Sequence, residues 1–283
     1  MTGLVLRAAT YRRSGYPFGG VSASPLAGAV SDLARLLAQD AREAMTATGV
    51  APDHVFVTST IMSPRVTEPG PEQHAVTRAL AEATGCTPLL INAYECTGWG
   101  YILRHVTHLG ITGPIMILIQ DCDVHNFTFW RRNDAWGNSG FGITTLIIDV
   151  GAGAAADVSV DAVPKAGALR NFRKALGVFT AAKPAQVVST PFFPEATRKG
   201  FRATSHLPNE CADRHGEYGH SFGSDPWIGL IEACAGARPA TAIVGSLALN
   251  GYHAIAHITL SPNAVIELHN SAAADKTSPQ TAI

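Results

Sequence analysis

The sequence predicts an α/β protein, a sheet of largely buried strands with helices on both faces. Three observations carry that expectation. Short apolar runs alternate along the chain with amphipathic stretches of helical period. Those apolar runs are nearly continuous, which is how strands covered on both faces read. Charged residues make up 15% of the 283 residues and hydrophobic ones 46%, whereas soluble proteins average about 25% charged. Such a chain hides much of its surface, in buried strands or in a subunit interface. Its length allows a large core and roughly one to two domains.

The elements follow in order. Residues 4–8 read as a strand. Ala27, Val30, Leu33, Leu36 and Leu37 fall at helical spacing, predicting a helix over 25–48. A strand is expected at 54–59, a helix at 72–84 with Val76 and Leu80 inward, and a strand at 88–93. A helix at 97–109 is closed by Gly110, and strands follow at 114–120 and 142–150. The Ala- and Gly-rich segment 151–184 is weakly patterned, with one strand near 156–160 and a basic helix near 169–176. The alternation then restarts: strand 186–190, helix 194–204, polar loop 205–219 and helix 226–236. Strands at 241–249, 253–260 and 264–269 complete it, and the tail from about 271 has a disordered composition. Two strand–helix sets of similar size suggest two α/β halves, 1–168 and 169–283, without a residue-level repeat.

Composition also excludes partners. A net charge of −1 and no basic run argue against nucleic acid. The most apolar stretch, 111–120, is about half the length of a membrane span. The first residues lack a signal-peptide layout. Five scattered cysteines with no C-x-x-C pair fit a reducing, cytoplasmic setting rather than a disulfide framework.

Among those cysteines, Cys96 stands between the predicted strand 88–93 and the helix that begins near Thr97. A thiol there faces the free N–H groups of a helix start, which favours the thiolate. Gly98 and Gly100 allow close approach, and Trp99, Ile102, Leu103 and Val106 make the helix deeply buried. From these residues alone, Cys96 reads either as a nucleophile or as a small buried apolar side chain.

The wider context resembles a known family. The stretch from Leu90 through Cys96-Thr97-Gly98-Trp99-Gly100 to Leu103 resembles the nucleophile segment of ketoacyl synthase III-like enzymes of the thiolase superfamily. Val55-Phe56-Val57-Thr58-Ser59-Thr60 is similar to the family's strand after a long Ala-rich helix. Trp136-Gly137-Asn138-Ser139-Gly140-Phe141-Gly142 and Leu249-Asn250-Gly251-Tyr252-His253 are similar to its two glycine-rich segments. The order is kept over most of the chain. The resemblance implies a layered αβαβα fold of two pseudo-equivalent halves, with Cys96 carrying an acyl group as a thioester. It implies oxyanion donors at the N–H groups of Cys96 and Gly251, although Asn250-Gly251 also reads as a plain tight turn. The low charged fraction and the apolar strand 114–120 suggest a homodimer, with that strand at a sheet edge extended across the two-fold axis.

Two departures from that family matter. Where its usual histidine follows the first strand of the second half, this chain has Ser189-Thr190-Pro191-Phe192-Phe193-Pro194. Where its asparagine follows Tyr-Gly, this chain has Tyr218-Gly219-His220, with Asp225 five residues on. That pattern resembles a minority branch of acyltransferases that pair the cysteine with a His and an Asp. There His220 would act as base and Asp225 would orient it. His220 also reads as a loop histidine, and Asp225 before Pro226 as a helix N-cap. Asp121-Cys122-Asp123-x-His125 and Cys211-x3-His215-x4-His220 are weaker readings as metal sites, with spacings untypical of zinc. The aromatic group Phe127, Phe129, Trp130 and Trp136 reads as an acyl or pantetheine entrance or as a packed aromatic loop.

The expected function is acyl transfer in biosynthesis. Cys96 takes an acyl group from an acyl-carrier-protein or coenzyme A thioester, and His220 helps pass it to a small-molecule acceptor. No bound cofactor and no metal is implied. Loss of the usual His and Asn disfavours malonyl decarboxylation, so carbon–carbon bond formation is the alternative. A non-catalytic subunit of a heterodimer is another. The chain is also shorter than is usual in the family, which implies a more open site.

Overall fold

The computed structural model describes residues 2–16, 18, 26–62, 64–125, 127–164, 166–203 and 207–269. The expected disordered tail lies outside the described residues. The first half runs β1 (Leu4–Ser14), α1 (Leu26–Thr48), β2 (His54–Thr58), α2 (Pro64–Thr67), α3 (Pro71–Thr84) and β3 (Leu89–Ile91). It continues through α4 (Gly98–His108), β4 (Gly113–Asp121), a small hairpin of β5 (Arg132–Asn133) and β6 (Gly137–Asn138), and β7 (Phe141–Val150). The second half holds β8 (Val158–Ala162), α5 (Ala168–Ala182), β9 (Val187–Ser189), α6 (Glu195–Arg202), α7 (His215–Tyr218), α8 (Asp225–Cys234), β10 (Thr241–Leu247) and β11 (Tyr252–His269).

Strand pairing shows the two halves to be variations on one plan. In the first the order is β3-β2-β4-β7-β1, with β2 parallel to β3 and β4 and with β7 antiparallel to β4 and β1. In the second, β9 is parallel to β10, and β11 is antiparallel to β10 and β8. Thus β8, antiparallel to β11, stands to it as β1 stands to β7. Where a counterpart of β3 would lie, Val188 makes a single parallel bridge to Glu210. β11 joins the halves, because its later residues run parallel to β1 from Val5↔Thr259 to Arg12↔His269.

The layers follow from alternation along each strand. On β4, Ile115, Ile117 and Ile119 enter the core shared with α4 and α8, while Met116 and Leu118 enter the one under α1 and α3. On β10, Ala242 and Val244 face the central layer and Ile243 faces α5 and α6. A strand with both faces buried is apolar over most of its length, as these are, with the buried polar residues Gln120 and Asp121 at the end of β4 and Ser246 near the end of β10. The result is five layers: α1 and α3, a sheet, α4 and α8, a sheet, α5 and α6.

Two expectations change. The strand 114–120 is not a sheet edge: β4 lies between β2 and β7, and the strand order ends at β3 and β9. Strands expected at 253–260 and 264–269 are one strand, β11. The register slips between Leu6↔Leu260 and Ala8↔Val265, so Ser261-Pro262-Asn263 passes as a bulge, where proline is tolerated.

Candidate active site

The two central helices start close together, and this places the candidate residues. α4 and α8 meet through Trp99 and Trp227, whose rings pack edge to face with centroids 5.1 Å apart. Trp99 also donates its indole N–H to Ser246 at 2.9 Å. Cys96 lies in the helical turn Glu95–Thr97 that leads into α4, and Asp225 is the first residue of α8.

The turn before Cys96 is strained. Tyr94 and Glu95 both have left-handed backbone, with φ of 68° and 49°, a conformation costing roughly 1–2 kcal/mol per non-glycine residue. Glu95 is held by the backbone and side-chain amides of Asn250, in the turn between β10 and β11. Gly98 is required just beyond, since a Cβ there would stand 2.0 Å from Oγ1 of Thr58.

Three side chains from distant parts of the chain converge. His220 Nε2 lies 3.9 Å from Sγ of Cys96, and His220 Nδ1 lies 2.5 Å from Oδ2 of Asp225. Cys96 and His220 are 5% and 6% exposed, and Asp225 is fully buried. The expected openness is therefore not found at the nucleophile. Asp225 is not the N-cap of α8, a position held by Ser224. Its carboxylate turns away from the helix and accepts the backbone N–H of Ser221 at 2.6 Å and of Phe192 at 3.0 Å. Phe192 belongs to the segment Ser189–Pro194 that leads from β9 to α6.

His220 is fixed through its own backbone. Its N–H donates to Asn138 and its carbonyl accepts from Gly140, at 2.8 and 2.9 Å. A Cβ on Gly140 would meet the Tyr218 carbonyl at 2.0 Å, which explains a glycine in that run. Thr60 completes the group by donating its hydroxyl to Sγ of Cys96 at 3.6 Å. Thr60, Glu95 and Asn250 are contacts that sequence reasoning did not assign to the site.

The charges in this site are set by competing effects. Burial raises the Cys96 thiol above its ordinary pKa, while the hydrogen bond and charge of His220 and the Thr60 hydroxyl pull it back. Burial is the largest of these influences, so the net direction is upward. Burial alone would lower His220, but the charge and hydrogen bond of Asp225 reverse this and push it up to about 10. The arrangement therefore favours an imidazolium beside Asp225, able to stabilise a thiolate at Cys96.

Gly251 does not join this cluster through its amide. It has φ of 87° and its N–H donates to the Ala248 carbonyl at 3.0 Å. The residues of the weaker metal readings are held separately. Asp123 pairs with Arg131, His215 bonds the Trp136 carbonyl at 2.7 Å, and the Cys211 N–H donates to the Val188 carbonyl. Phe127 and Phe129 are exposed, whereas Trp130 and Trp136 pack on Phe222, itself 5.2 Å from the His220 ring.

No family model matches the chain, and no curated protein matches it. Solved structures do. The chain is similar to ChlB3, an acyltransferase, with a TM-score of 0.62 and 13% identity over 92% of this chain and 99% of that one. It is similar to 3-oxoacyl-(acyl carrier protein) synthase III, FabH, from Pseudomonas aeruginosa PAO1, with a TM-score of 0.65 and 11% identity over 91% and 98% of the chains. AbyA1, a tetronic acid condensing enzyme, gives 0.63 and 14% over 90% and 99%. The chain has the layered thiolase-like fold of these proteins over nearly its full length.

Proposed function

We propose that this protein is an acyltransferase that carries its acyl group as a thioester on Cys96. The observation that carries the reading is the relay Cys96–His220–Asp225, with contacts of 3.9 and 2.5 Å, at the converging starts of two central helices. With its proton held on Nε2 of the His220 imidazolium, Cys96 attacks as the thiolate the carbonyl of an acyl-carrier-protein or coenzyme A thioester. The C–S bond to the carrier breaks, and the expelled thiolate takes the proton from His220. A hydroxyl or amine acceptor then gives its proton to His220 and attacks the Cys96 thioester, releasing the cysteine. Asp225 holds the imidazole in position and stabilises its charged form.

The backbone N–H of Cys96 is the proposed donor to the oxyanion. Gly251 would join it only by giving up its bond to Ala248. The thiolase-like neighbours include both an acyltransferase and condensing enzymes. Transfer is preferred because decarboxylative condensation needs donors to an enolate, and 189–194 supplies no histidine for that. We further propose a homodimer in a reducing compartment; all five cysteines are free.

Intact-protein mass spectrometry with a panel of acyl thioesters tests the reading. One acyl adduct should appear, map to Cys96 and vanish in Cys96→Ala. An adduct that persists on Cys122 or Cys211 in that variant would refute it. Release of carbon dioxide from a malonyl thioester would replace transfer with condensation.

A further inference from the structure

Asp121, at the end of β4, is 1% exposed, and its carboxylate faces hydrogen-bond donors from two separate turns. Oδ1 accepts the Ser59 hydroxyl at 3.0 Å and the Thr60 backbone N–H at 2.7 Å. Oδ2 accepts the Gly223 backbone N–H at 3.4 Å. The Ser59 hydroxyl in turn accepts the N–H groups of Ile61 and Met62, at 3.1 and 2.9 Å. One carboxylate thus anchors the whole turn that follows β2 and, across from it, the turn that precedes α8.

Both turns are walls of the nucleophile's site. Thr60 directs its hydroxyl at Sγ of Cys96, and Ile61 packs in the small cluster that holds Cys96, Phe141 and Phe222. Gly223 lies so close to the nucleophile that a Cβ on it would stand 3.2 Å from the Cys96 carbonyl oxygen. Phe222 before it has φ of 52°, a left-handed conformation that needs external support. Its ring packs on His220.

A carboxylate is costly to bury, and burial raises the pKa of Asp121 to about 6 despite its hydrogen bonds. Its negative charge also disfavours a thiolate at Cys96. A group with that liability next to a nucleophile is explained by what it holds. We propose that Asp121 is a positioning residue, which sets Thr60 on one side of Cys96 and the Phe222–Gly223 turn on the other. The proposal rests on the reading of Cys96 as the acylated nucleophile, and Asp121 acts through these two turns rather than on substrate.

The sign of one variant's effect separates positioning from charge. Asp121→Asn can keep an oxygen toward Ser59 and Thr60, but it then turns an amide N–H toward the Gly223 N–H. Removal of the charge alone would favour the thiolate and speed alkylation of Cys96; loss of positioning slows it. The test follows iodoacetamide modification of Cys96 at pH 8 by peptide mass mapping, beside acyl loading from an acyl-coenzyme A. Cys122, fully buried next to Asp121, reports any loosening of the fold.

We expect Asp121→Asn to slow Cys96 alkylation on the order of 10-fold, the scale of a lost hydrogen bond to a charged group, while Cys122 stays protected. Thr60→Val should slow it less, and the double variant should fall short of the product of the two effects, because Thr60 depends on Asp121. Alkylation of Cys96 at or above the wild-type rate in Asp121→Asn overturns the proposal. If Cys122 becomes labelled, Ser59→Ala, which leaves the Thr60 and Gly223 bonds to Asp121 in place, must still slow Cys96, or the proposal fails. Alkylation needs no acyl donor. Slowed alkylation in a protein that no thioester loads would leave the positioning role standing and remove the acyltransferase reading instead.

Discussion

Burial by itself would leave Cys96 a poor nucleophile, and the residues around it decide its chemistry. His220 is the strongest influence, because Asp225 holds its pKa at about 10 against desolvation. His220→Ala should slow acyl transfer by roughly 100- to 10,000-fold, read as turnover with a saturating acyl donor. Asp225→Ala should cost stability as well as activity. It strands the N–H groups of Ser221 and Phe192 in the interior, at about 1–3 kcal/mol for each unsatisfied donor. Thermal unfolding that matched wild type in Asp225→Ala would contradict those bonds. The His220 shift also predicts a pH dependence with a definite sign. A histidine whose pKa rises on folding adds stability that is complete below its unfolded value of about 6.5. That contribution fades as pH climbs through the folded value. Wild type should therefore lose its advantage in melting temperature over His220→Asn between pH 6.5 and 10, and an advantage that grew over that range would reverse the assignment.

At the scale of elements, the site exists because two helices begin where two sheets face each other. Each helix has its apolar residues on one side at helical spacing: Trp99, Ile102, Leu103 and Val106 on α4, and Trp227, Ile228, Leu230 and Ile231 on α8. These were legible in the sequence, as were the strands whose two faces are both buried. Trp99→Ala should destabilise the fold by about 3–5 kcal/mol and separate the helix starts. Chemical denaturation measures the first effect, and loss of Cys96 acyl loading in the still-folded fraction measures the second. The glycine run was legible as a motif but not in its purpose. Gly140 lets the loop before β7 close on the backbone of His220, so Gly140→Ala should lower turnover far more than acyl-donor binding. A variant with an unchanged rate would show that His220 does not depend on this loop.

For the whole molecule, the two halves share a strand plan although their sequences show no repeat. The match stops at one strand, since Glu210 makes only a bridge where the first half has β3. The same topology exposes β3 as a sheet edge, with Leu89 53% exposed. An uncovered apolar edge strand is a template for pairing with another chain. The proposed homodimer would therefore form through β3 rather than through 114–120. Light scattering should give twice the chain mass, and Leu89→Glu should shift the protein toward the monomer. A wild-type monomer at micromolar concentration would remove the homodimer. A membrane-spanning role is not built into the helices: none among the described residues is long and apolar enough to cross a bilayer.

Periodicity and composition by themselves determined the order of strands and helices, the apolar character of the central layer and the place of Cys96 at a strand-to-helix turn. Those features are local: a buried face repeats every two residues in a strand and every 3.6 in a helix, whatever packs against it. Tertiary structure alone decided which strands are the edges, that Ser261-Pro262-Asn263 is a bulge, and that the carboxylate of Asp225 leaves its helix for His220. It also decided that Asp121, part of a weaker metal reading in the sequence, binds two turns beside the nucleophile. The reason is separation along the chain. Asp121 and Gly223 lie 102 residues apart, and Cys96 and His220 lie 124 apart. A polar side chain's neighbours at that distance leave no periodic trace in the sequence; they are set only when the sheets close on the two central helices.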